Sequence, residues 1–86
     1  MAKLRNLAGI ICKYIGKGSG VFGDTLVEIG GDFYEVWKDN VFEKEGRCYV
    51  RGFLMESGPE SDLVAITQAN DLIRLWVDRE QVVDIS

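Results

Sequence analysis

The sequence predicts a small, mainly β domain: a curled antiparallel sheet or a small barrel, with a short helix at its N-terminus. Three observations carry this. Between residues 25 and 86, short runs rich in Val, Ile, Leu and aromatics alternate with turn residues at close spacing. Two of the breaks, Gly30-Gly31 and Glu45-Gly46, are two-residue hairpin turns by composition. Only the first fifteen residues show a three-to-four spacing of apolar positions.

The 86 residues form one domain by length, 1–86, divided into an N-terminal helix or strand (1–15), a glycine-rich loop (16–24) and an antiparallel body (25–86). A chain of this size buries only about 60–65% of its unfolded surface, so its core is thin and a partner would add to it. Hydrophobic content of 47% and charged content of 28% are those of a folded globular chain.

In "KLRNLAGIICKYI", residues 3–15, Leu4, Leu7, Ile11 and Tyr14 fall on one helical face, widened by Ala8 and Ile15. Gly9 weakens a helix there by about 1 kcal/mol relative to Ala. A strand over 9–15 competes, and helix is the expectation. The loop that follows holds Gly16, Gly18, Gly20 and Gly23 and reads as a hinge.

Residues 25–38, "TLVEIGGDFYEVWK", read as a hairpin. Pairing outward from Gly30-Gly31 sets Ile29 against Asp32, Val27 against Tyr34 and Thr25 against Val36. The core face is then Val27, Ile29, Tyr34 and Val36. Residues 40–55 read as a second hairpin, with Lys44 opposite Arg47, Phe42 opposite Tyr49 and Val41 opposite Val50. Its faces are Val41, Cys48, Val50 and Leu54 on one side, and Phe42, Lys44, Arg47, Tyr49, Arg51 and Phe53 on the other. A polar loop spans 56–61, and residues 62–70 are ambiguous between strand and short helix. Residues 71–77 fit a strand, 78–81 a tight or 3₁₀ turn, and 82–85 a last short strand. This ending, "LWVDREQVVDI", resembles the finish of SH3-like barrels, which implies such a barrel as one form of the fold and implies no function.

Within "IGKGSGVFGDTL" the glycines Gly18, Gly20 and Gly23 spell G-x-G-x-x-G. A dinucleotide-binding loop needs a strand before it and a helix after it, and here a strand-like run follows. A Walker loop lacks its first glycine, and a kinase-type loop needs far more chain than this.

The chain has no histidine, and its two cysteines lie thirty-six residues apart, so neither a zinc set nor an acid–base pair is marked. The expectation is a non-enzyme, with no cofactor and no metal. Cys12 and Cys48 are expected as free thiols. With no leader-like segment and no apolar run of membrane-spanning length, they point to a cytoplasmic protein.

Charge is uneven. Residues 1–23 carry four bases and no acid, and the remainder carries six bases and fourteen acids. An acidic body repels phosphates, which makes nucleic acid an unlikely partner class. Four of the body's bases, Lys38, Lys44, Arg47 and Arg51, nevertheless cluster within residues 38–51. Together with Phe42, Tyr49 and Phe53 they make the candidate contact surface, since aromatics and Arg favour interface centres. The structural alternative is that these aromatics are core, with the cations at its rim. The leading expectation is a self-associating interaction module, a homodimer, or a binder of another protein. The alternative is a small barrel that binds single-stranded nucleic acid or an anionic ligand through this aromatic and basic face.

Overall fold

The computed structural model describes residues 6–85. Among them are nine strands and two 3₁₀ turns. The strands are β1 (Asn6–Ile11), β2 (Lys13–Lys17), β3 (Thr25–Ile29), β4 (Asp32–Val36), β5 (Val41–Lys44), β6 (Arg47–Ser57), β7 (Ser61–Gln68), β8 (Asp71–Asp78) and β9 (Val82–Asp84). The 3₁₀ turns are Lys38–Asn40 and Arg79–Gln81.

They form two antiparallel sheets. The larger runs β8-β7-β6-β1-β9, with β5 paired to β6 beside β7, and the smaller runs β2-β3-β4. No strand pair among the described residues joins the two sheets, so the expected barrel is not closed. The chain crosses between them twice instead, at Cys12 and through the turn Lys38–Asn40.

Both hairpins form in the register their turns dictate. Thr25 pairs with Val36, Val27 with Tyr34 and Ile29 with Asp32. Val41 pairs with Val50, Phe42 with Tyr49 and Lys44 with Arg47. Gly30 and Gly31 both have positive φ, at 59° and 92°, the backbone that matches strand twist in a two-residue turn. Val27, Ile29, Val36, Val50, Val64, Ile66 and Ile10 make the core, with Tyr34, Val41, Cys48 and Leu54 packed against it. These β-branched residues suit a pleated, buried surface, and each stabilises by about 1.5–3 kcal/mol when fully buried.

The expected N-terminal helix is not there. Residues 6–17 are β1 and β2, and the part of that expectation on residues 1–5 lies outside the described residues. Ala8, Ile10 and Cys12, spaced at a period of two, are buried, and Gly9 between them is covered by Phe42, Val83 and Tyr49. β1 is held on both sides, by β6 from Asn6↔Leu54 to Ile11↔Tyr49 and by β9 from Ala8↔Asp84 to Ile10↔Val82. Gly9 fits because a Cβ there would sit 3.0 Å from Phe42 Cζ and 3.1 Å from Val83. Long-range pairing overrides the local helical spacing.

The ambiguous segment is strand β7, and the C-terminal expectation of strand, 3₁₀ turn and short strand is met by β8, Arg79–Gln81 and β9. No helix among the described residues is long and apolar enough to cross a membrane.

Candidate functional site

All six candidate residues lie on the outer face of the larger sheet, as their alternation on β5 and β6 requires. Three form one cluster. The Phe42 and Tyr49 rings stack with centroids 5.4 Å apart and 23° between planes. The Arg51 guanidinium sits 5.3 Å from the centre of the Phe42 ring, and its Nη1 donates to the Asp39 carbonyl at 3.2 Å. Tyr49 is only 6% exposed, so it serves as the floor of the cluster rather than its contact surface. Lys44 and Arg47 are exposed and face each other at the hairpin tip. Phe53 is half-buried, opposite Leu7 on β1 and Ala65 on β7.

The glycine loop is tied down rather than hinged. Ser19 donates from its amide (2.8 Å) and its hydroxyl (2.7 Å) to the Glu35 carboxylate. These bonds, the hydroxyl's first, hold Glu35 below the usual carboxylate range. Gly18 N donates to Asp24 O and Gly20 N to Gly23 O, each at 2.9 Å, and Phe22 O accepts from Ala69 N at 2.7 Å. The element that follows the loop is strand β3, not a helix.

The sequence did not mark two further features. A cleft of about 500 Å³ opens beneath edge strand β2, lined by Tyr14, Lys17, Gly18, Asp24, Thr25, Lys38 and Val41. Asp24 builds its wall, its Oδ1 accepting from Lys38 N at 2.8 Å and from Thr25 Oγ1 at 3.1 Å. Lys17 and Lys38 bring two positive charges to this cleft against the one carboxylate of Asp24, a net positive lining. They are twenty-one positions apart and meet only because the turn Lys38–Asn40 carries the chain across from β4 to β5.

The second feature is the juxtaposition of the two free thiols, Cys12 and Cys48, with Sγ atoms 3.4 Å apart and Cys12 N donating to Cys48 O at 3.0 Å. Burial, and then the neighbouring thiol, push the Cys12 thiol well up from its ordinary value. Among the described residues no three His, Cys, Asp or Glu side chains gather around a metal-sized point.

One carboxylate among the described residues is buried. Asp62 is 4% exposed, with its Oδ1 3.5 Å from Arg79 Nε, an ion pair in which Oδ1 accepts no hydrogen bond.

Large apolar side chains remain on the surface. Val21 (67%), Phe33 (61%), Tyr14 (59%), Trp76 (58%) and Phe22 (52%) are each more than half exposed. No known protein family, curated protein or solved structure matches the chain.

Proposed function

We propose that this chain is a non-catalytic interaction module that self-associates as a homodimer. The supporting observation is the exposure of Trp76, Phe33, Phe22, Tyr14 and Val21 on a domain of 9.6 kDa. Four of the five are aromatic, the side-chain type enriched at protein contacts relative to the rest of a surface. The hairpin cluster contributes its charged rim, Lys44, Arg47 and Arg51, more than its rings, because Tyr49 is buried and Arg51 lies over Phe42.

A base-stacking surface has less support, since it needs open ring faces that this cluster covers. An anionic ligand is the second reading, favoured by the Lys17–Lys38 cleft. A cytoplasmic setting belongs to the same proposal and rests on the two free thiols.

Light scattering at high micromolar concentration tests the main reading. The expected mass is near twice 9.6 kDa, and a monomer at that concentration refutes self-association.

A further inference from the structure

We infer that the contact in this self-association is the open edge of β8, which pairs antiparallel with the β8 of a second copy. The inference rests on the reading of the chain as self-associating and adds the surface, the register and the bonds.

Among the described residues β8 ends the larger sheet, paired with β7 on one side only. Open edges invite pairing, and proteins guard them with shortness, bulges, charges or a covering loop. Each other edge here has such a guard. β9 has three residues and β5 four. β2 breaks its register between Tyr14 and Gly16 and carries Lys13 and Lys17. β4 carries Asp32 and Glu35, and the glycine loop lies against it, with Gly23 packed on the backbone of Val36. By contrast β8 runs eight residues, Asp71–Asp78, with no proline, no lysine and an unbroken register to β7; its two carboxylates stand at its ends and Arg74 is the one charge between them. Its outward Leu72 and Trp76 are 45% and 58% exposed.

The register follows from the turn. Gln68 and Asp71 flank a two-residue connection, so that pair closes the hairpin with hydrogen bonds. Alternate pairs do the same: Ile66↔Ile73, Val64↔Leu75 and Asp62↔Val77. The main-chain groups of Leu72, Arg74, Trp76 and Asp78 therefore point to the open side. A two-fold axis through Leu75 sets Arg74 against the partner's Trp76, twice, and Ile73 against the partner's Val77, twice. Cation and ring are complementary across strands, and the apolar inner face continues from one copy to the other. An axis through Arg74 would instead oppose two arginines. The Asp78 amide already donates to Gln81 Oε1 at 3.2 Å. The ladder then holds about six bonds: two from each Arg74–Trp76 pair and one from each Leu72 amide to the partner's Asp78 carbonyl.

Amide exchange on the full chain tests this directly. Comparing a high-micromolar sample with a dilute one, the Leu72, Arg74 and Trp76 amides should slow by about tenfold or more. Ile73, Leu75 and Val77, bonded to β7 in both, should not change. Arg74→Pro removes an outward donor without touching the β7 ladder, and should return the mass to 9.6 kDa with the circular dichroism of a folded sheet. If that variant does not fold, Leu72→Lys with Trp76→Lys makes the same test through side chains. A dimer that persists in these variants, or outward amides indifferent to concentration, overturns the edge assignment and leaves self-association standing. A monomeric wild type overturns both.

Discussion

Gly23→Ala is the sharpest probe of the glycine loop. Gly23 is buried, and a Cβ there would lie 2.5 Å from Val36 O and 2.6 Å from Val36 N. These are main-chain atoms of β4, not the end of a side chain that can swing away. Val36 is itself 0% exposed and paired with Thr25, so moving it disturbs the core and the ladder together. Overpacking of this kind costs about 1–3 kcal/mol. If the loop lifts instead, it gives up the bonds from Gly20 N to Gly23 O and from Lys38 N to Asp24 Oδ1, each worth about 1 kcal/mol. A loss of about 2 kcal/mol is expected, since the chain takes the cheaper route, and this lowers Tm by roughly 8–16 °C in a domain of this size. Gly16→Ala is the control, because nothing lies within 4 Å of its Cβ position, and it should stay within about 0.5 kcal/mol of wild type. Urea denaturation followed by Trp fluorescence measures both. Equal, mild effects would show the loop to be slack and restore the hinge that glycine density suggested.

Two further outcomes follow from backbone strain and from a buried thiol. Ala69 holds φ at 53°, its amide donating to Phe22 O and its carbonyl accepting from Trp37 Nε1 at 3.5 Å. Ala69→Gly relieves the left-handed strain and adds unfolded-state freedom, for a net gain of roughly 0.5–1 kcal/mol; a loss of stability in a thermal melt refutes the strain. Cys12 keeps its proton in the folded chain well above its ordinary ionisation near 9.0, because burial and Cys48 oppose the thiolate. Above that pH the unfolded chain binds fewer protons than the folded one. The contribution is therefore complete below about 9.0 and is lost as pH rises, by at most about 1.4 kcal/mol per unit. Tyr34 is raised too, by burial and then by Asp32, so it acts in the same direction. The Cys12→Ala variant isolates the thiol: its urea midpoint should fall less than that of wild type between pH 8 and pH 10, and equal falls refute the assignment.

What was legible in the sequence is what local chemistry fixes. Gly30-Gly31 and Glu45-Gly46 set two hairpin registers, and those registers put Val27, Ile29, Val36 and Val50 in the core. The same logic placed Phe42, Lys44, Arg47, Tyr49, Arg51 and Phe53 on one face. It could not say that Tyr49 would be buried on that face, because its cover includes β1 at Gly9, forty positions away. The first segment misled for a related reason. Leu4, Leu7, Ile11 and Tyr14 fit a helix, while Ala8, Ile10 and Cys12 fit a strand equally well. Pairing with β6 and β9 decided between them. The meeting of Cys12 with Cys48, and of Lys17 with Lys38, depends on how the chain crosses between sheets, which no local pattern encodes.

The two surfaces that compete for the self-contact differ in physics, and the difference can be measured. The hairpin face and the adjoining cleft hold Lys44, Arg47, Arg51, Lys38 and Lys17 on an otherwise acidic body. A contact there would be made largely by charge against a partner's carboxylates. Exposed charges are screened over about 8 Å at physiological ionic strength, so such a dimer loosens as salt is added. The β8 edge has a single cation, Arg74, and offers main-chain donors and acceptors with Leu72 and Trp76 beside them. Backbone bonds and apolar contact are nearly indifferent to moderate salt. A dimer mass that holds from low to high salt therefore belongs to the edge, while one that collapses to the monomer mass belongs to the hairpin face.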